Sequence, residues 1–114
     1  MKNIEYRENK LYIGETEILF TDKIQQVKYE NDKVFILLDI PAKQELTYDD
    51  IHNVYCYSMD GTKVWTIGIR PKGDKAVYTM INVDDSYLYA NDFLGRRYYV
   101  DKNTGDIKDM KITK

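Results

Sequence analysis

Residues 53–67 (NVYCYSMDGTKVWTI) and 96–112 (RRYYVDKNTGDIKDMKI) repeat one layout, in which Tyr- and Val-bearing alternations flank an Asp or Asn cluster that ends in glycine. Each stretch reads as strand, tight turn, strand, because Gly61 and Gly105 can take the positive φ that such turns require. The two glycines lie 44 residues apart. A chain punctuated in this way folds as an antiparallel β meander.

The rest of the sequence keeps the same rhythm. IEYR at 4–7, KLYIG at 10–14 and EILF at 17–20 are short alternations parted by Glu8-Asn9 and Glu15-Thr16. IQQVKYE at 24–30 and KVFILLDI at 33–40 are split by Asn31-Asp32, whose side chains bond local backbone and tolerate a turn. The second of these is apolar on both alternating sets, which predicts a central strand covered on both faces. Pro41 ends it, since proline cannot donate to a ladder. Residues 42–52 break the β pattern, and Thr47 followed by Asp50 can cap one helical turn, with an irregular loop as the alternative. From 53 the meander resumes as 53–59, 63–69, a Pro71–Asp74 turn, 76–83, an Asp84-Asp85 turn, 86–91, 96–101 and 106–112. Alternation places Trp65, Ile67 and Ile69 on one face of their strand, with Val64 and Thr66 opposite, and makes Trp65 a core anchor. The expected architecture is all-β: one antiparallel meander domain over residues 1–114, with about eleven short strands arranged as a blade-like stack, a sandwich or an open barrel.

Composition narrows the function classes. The chain has 114 residues, 43% hydrophobic and 32% charged with a net charge of −2, values that suit one folded domain with a solvated surface. Lysines and arginines are scattered through a mildly acidic chain, which offers no concentrated field for phosphate backbones or anionic lipid. Neither nucleic acid nor membrane is an expected partner. Met1 to Glu5 contain no apolar h-region, and the longest apolar run, Val34 to Leu38, is far short of the ~20 residues of a membrane span. The single cysteine, Cys56, excludes an intramolecular disulfide and agrees with a cytoplasmic location.

Several groups of residues could carry chemistry. Eleven tyrosines include Tyr55, Tyr57, Tyr87, Tyr89, Tyr98 and Tyr99. A tyrosine face suits a partly polar partner, yet tyrosine is equally a good strand residue that packs cross-strand. Tyr55 and Tyr57 share one face of their strand, as do Tyr87 and Tyr89. Binding is favoured if those faces coincide outside the sheet. Asp101 to Asp106 faintly follow a calcium loop, but Ile112 stands where a bidentate glutamate is needed, so an Asx-type turn is expected and no metal. Asp49, Asp50 and His52, or Asp84 and Asp85, are the only candidate acid–base groups, and no framed nucleophile accompanies them. Cys56 falls with Val54 and Ser58, away from its tyrosine neighbours, as a small buried hydrophobe. In Arg96-Arg97-Tyr98-Tyr99 the strand period sends half of each pair away, which disfavours a single-strand binding platform.

Tyr99-Val100-Asp101 followed by Thr104-Gly105, and the shorter Asp60-Gly61 followed by Val64-Trp65, resemble the blade hairpins of pyrroloquinoline-quinone-type β-propeller repeats. The 44-residue offset is close to the blade period of about 40–50. A closed propeller needs about four blades of four strands, more than this chain supplies, so the resemblance implies blade-like hairpins and no quinone site. The VFILLDIP strand, the NVY strand and the Gly61-to-Trp65 turn also resemble short uncharacterised bacterial β proteins, which implies a fold and no activity.

The expected function is therefore a non-enzymatic protein-interaction module of a bacterial accessory or immunity type, without a cofactor. Its candidate partner-binding residues are Tyr48, Asp49, Asp50, His52, Tyr55, Tyr57, Tyr87 and Tyr89. The alternative is a small-molecule or carbohydrate binder with a Tyr-lined pocket. Uncovered sheet edges add self-association as an expectation.

Overall fold

The computed structural model describes residues 3–71, 73 and 75–112. Met1, Lys2, and the Lys72 and Asp74 of the expected Pro71–Asp74 turn lie outside the described residues.

Eleven strands among the described residues form three antiparallel sheets, each a meander in which every strand neighbours the next in sequence. The first sheet holds β1 (Ile4–Arg7), β2 (Lys10–Ile13) and β3 (Thr16–Leu19). The middle sheet holds β4 (Lys23–Glu30), β5 (Lys33–Asp39), β6 (Val54–Ser58) and β7 (Lys63–Thr66). The third holds β8 (Tyr78–Val83), β9 (Leu88–Asp92), β10 (Arg96–Val100) and β11 (Ile107–Ile112). Among the described residues none of the three sheets closes into a barrel. The only helical element among the described residues is a 3-10 turn at Asp50–His52, and none is long and apolar enough to cross a membrane.

Side-chain alternation along the middle sheet explains the layering. Phe35 and Leu37 of β5, Val54 and Cys56 of β6, and Trp65 point to one side, where they meet Tyr78, Ile81, Leu88, Ala90, Tyr98 and Val100 of the third sheet. Val34, Ile36 and Leu38 point to the other, against Leu11 and Ile13 of β2. The middle sheet is thus packed on both faces, and β5 is the two-faced central strand its sequence predicts. Each fully buried Phe, Leu, Ile or Val contributes about 1.5–3 kcal/mol. Asn31, in the β4–β5 turn, takes a φ of 55°, the left-handed geometry that asparagine tolerates.

The two glycine-ended stretches occupy equivalent places, as the last hairpin of the middle sheet (β6–β7) and of the third (β10–β11). Trp65 of the former reaches the turn of the latter: its Nε1 donates to Lys102 O at 2.8 Å, and Gly68 N donates to Gly105 O at 2.8 Å. The Gly61 turn is approached in the same manner from the first sheet, since a Cβ there would lie 2.7 Å from Thr16 Cγ2. A repeated contact of last strand on next turn glycine therefore joins the layers. The strand at 63–69 is shorter than its sequence suggests. β7 stops at Thr66, the chain turns toward the Gly105 loop, and Ile69 is 68% exposed although alternation puts it on the face of the buried Trp65 and Ile67.

The β8 edge is covered by amide side chains rather than by another strand. Tyr78 N donates to Asn53 Oδ1, Asn53 Nδ2 donates to both Leu38 O and Tyr78 O, Gln25 Nε2 donates to Thr79 O, and Ile81 N donates to Gln26 Oε1. These bonds satisfy backbone groups that an open edge would offer to another chain.

Candidate functional site

The 42–52 segment, the longest break in the strand pattern, is built around Asp50. Thr47 N donates to Asp50 Oδ2 at 2.9 Å while Asp50 N donates to Thr47 Oγ1 at 3.2 Å, a reciprocal capping box opening the 3-10 turn. Lys43 Nζ donates to both Asp50 carboxylate oxygens at 3.1 Å. Burial alone would raise the pKa of this carboxyl, but the Thr47 amide and the Lys43 ammonium outweigh it and hold the pKa below its ordinary 3.8. His52 is also buried, with its ring stacked 4.0 Å from that of Tyr48. Its Nδ1 lies 2.7 Å from Tyr48 O, and because a carbonyl can only accept, that nitrogen carries the proton. Arg70, buried beneath this segment, donates from Nε to the Tyr78 hydroxyl and from Nη2 to Ile51 O, with its guanidinium 4.1 Å above the Tyr78 ring.

The eight residues singled out in the sequence fall in three separate places. Tyr48 and Asp49 are exposed on the 42–52 segment, whereas Asp50 and His52 face inward as its internal struts. Tyr55 and Tyr57 lie between the first and middle sheets, each 5.7 Å from the Phe20 ring, and burial raises both phenol pKa values above 10.0. Tyr87 and Tyr89 lie on the third sheet with Tyr99, whose ring stands near-perpendicular to that of Tyr89 at 5.0 Å. Arg97 sits over Tyr89 and Lys111 over Tyr99, each at 5.6 Å, and the Tyr89 hydroxyl donates to Asp84. The two tyrosine pairs do not share a face. Asp101 Oδ1 accepts from Asn103 N and Thr104 N, which is the Asx-type turn expected there.

The first half of the 42–52 segment also lines a largely apolar groove. This groove, of about 310 Å3, is lined by Ile40, Pro41, Ala42, Lys43 and Leu46 of one segment, Lys75, Ala76 and Val77 of a second, and Phe93 and Leu94 of the β9–β10 turn. Phe93 is 76% and Leu94 59% exposed. Both stand at the tip of the β9–β10 turn because the buried Asp92 fixes that turn from within: its Oδ1 accepts Leu94 N and Arg96 N, and its Oδ2 accepts Arg96 Nε at 2.8 Å. Phe93 N donates to Val77 O at 2.9 Å, tying the turn to the second segment. Phe93 and Leu94 were not singled out in the sequence. The available signal was two large apolar residues between Asp92 and Gly95, where turn chemistry calls for small or polar ones.

Comparison with known families supplies a match along nearly the whole chain: the profile of a domain of unknown function, DUF7957, covers residues 1–112. The chain belongs to the DUF7957 family. No curated protein and no solved structure matches it. In this DUF7957 domain the groove and the capped 42–52 segment are adjacent, sharing Ala42, Lys43 and Leu46, so the Lys43–Asp50 pair bears on both. Among the described residues no three His, Cys, Asp or Glu side chains converge to hold a metal ion.

Proposed function

We propose that this DUF7957 domain is a non-catalytic protein-interaction module that seats an apolar segment of a partner protein in the groove between Pro41–Leu46 and Phe93–Leu94. The observation that carries the reading is the exposure of Phe93 and Leu94 on a turn held rigidly by Asp92. Large apolar side chains exposed together beside an apolar groove mark an interaction surface, and a turn already fixed loses little entropy when it is covered. The groove, at about 310 Å3, is lined mainly by apolar side chains, which suits an apolar segment. The setting we assign, a bacterial cytoplasm with an accessory or immunity-type role, rests on the sequence resemblance and on a single free cysteine.

The alternative, a small-molecule or carbohydrate binder, draws on the Tyr87, Tyr89 and Tyr99 cluster. The lining of the groove contains no tyrosine, and in the cluster Arg97 and Lys111 already sit over the Tyr89 and Tyr99 rings. These observations favour a protein partner.

The test is parallel affinity capture from the native host with the wild-type chain and with the Phe93→Ser, Leu94→Ser double variant, after thermal melts have shown equal stability. A stoichiometric partner retained by the wild type and lost by the variant supports the reading. A partner held equally by both overturns it.

A further inference from the structure

We infer that the segment the groove accepts carries a carboxylate beside one or two large apolar side chains. This rests on the interaction reading above and adds the chemistry of the partner.

Three features converge on it. First, the lining is apolar apart from two lysines, Lys43 and Lys75, so the only charge offered to an incoming segment is positive. Second, the two lysines are not equivalent. Lys43 is bound to both oxygens of the buried Asp50, so its charge is already largely offset. Lys75 is exposed and has no ion-pair partner among the described residues, so its ammonium is available at the rim. A carboxylate placed there gains an attractive partner, whereas a lysine or arginine meets repulsion from Lys75 with no nearby acid in the lining to offset it. Third, Ala76 in the lining is small and buried, so it does not project into the groove. An apolar cavity of about 150 Å3 holds one benzene-sized group. A groove of about 310 Å3 therefore suits one or two apolar side chains, flanked by the acid. Its lining is itself exposed at Leu46, Phe93 and Leu94, so the occupant extends beyond the groove as a polypeptide does.

The experiment pans a phage-displayed library of random dodecapeptides on the intact chain. The enriched peptides are then synthesised and titrated by fluorescence polarisation into the wild type, Phe93→Ser and Lys75→Glu, both variants being on exposed side chains. We expect enriched peptides to pair Asp or Glu with Phe, Leu or Trp. Phe93→Ser should weaken them at least about ten-fold. Lys75→Glu should weaken them about five-fold, with that loss shrinking in high salt and reversing for a peptide whose acid is replaced by lysine. If Phe93→Ser removes binding but Lys75→Glu changes it by less than about two-fold, the acidic chemistry is wrong while the interaction reading stands. If no peptide is enriched, or binding ignores Phe93→Ser, both fail.

Discussion

A Cβ built on Gly105 would lie 2.7 Å from both Cδ2 and Cε3 of Trp65, so the indole of the middle sheet closes directly over a backbone turn of the third. Gly105 also sits at a φ of 80°, in the left-handed region that favours glycine. Gly105→Ala should therefore cost about 2–4 kcal/mol, combining an unfavourable backbone with overpacking against the ring. Trp65→Phe, which removes the bond to Lys102 O and part of the ring, should cost less, about 1–2 kcal/mol. Urea denaturation followed by far-ultraviolet circular dichroism reads both. A Gly105→Ala variant within about 0.5 kcal/mol of the wild type would remove Trp65–Gly105 as the joint between layers.

Asn53 is the second joint. Its amide bonds Leu38 O in the middle sheet and both backbone groups of Tyr78 in the third, and it is fully buried. Asn53→Ala leaves those groups unpaired and should cost about 2–4 kcal/mol, beyond what a surface asparagine such as Asn103 would. Equal midpoints for the Asn53→Ala and Asn103→Ala variants would contradict this.

Acid should weaken the 42–52 segment through Asp50. Its pKa is lower in the folded state than the ordinary 3.8, so its ionisation stabilises the fold fully above that value, and the contribution is lost as pH falls below it through the folded pKa. The stability gap between wild type and Asp50→Asn should be constant near neutrality and narrow below about pH 4. A gap that stays unchanged down to about pH 2.5 would show that the carboxylate's charge does not support the segment.

Cys56 should be inert in the native state. Burial pushes its thiol pKa up to about 12 from 9.0, so at neutral pH it is neither ionised nor accessible. Labelling by a thiol-reactive dye should be rate-limited by unfolding and accelerate sharply in denaturant. Because the folded state holds the thiol proton more tightly, stability should also fall as pH rises beyond 9.0. Prompt stoichiometric labelling of the native chain would contradict this placement.

What could be read in the sequence was local. Both faces of β5 followed from the unbroken apolar run at Val34–Leu38, the end of that strand from Pro41, the Asn31 turn from its side chain, and the capping of the 3-10 turn from the Thr47-to-Asp50 spacing. What could not be read was which sheet faces meet, since alternation assigns residues to faces within one strand only. Tyr55 and Tyr89 both occupy alternating positions, yet one lies against Phe20 and the other on the far side of the third sheet. The strand expected at 63–69 ends at Thr66, and Gly68 pairs with Gly105 instead, a contact distant in sequence that leaves Ile69 exposed. The groove draws on three segments, at 40–46, 75–77 and 93–94, and no periodicity links them.

The interaction reading stands or falls on Phe93. The most direct measurement is isothermal titration of the partner captured by the wild-type chain into wild-type and Phe93→Ser proteins of equal melting temperature. A central, rigidly held aromatic anchor should weaken the complex by about thirty-fold when truncated, in the range of interface hot spots. Affinities that agree within about two-fold would mean that the partner binds elsewhere and that the groove is not the functional surface.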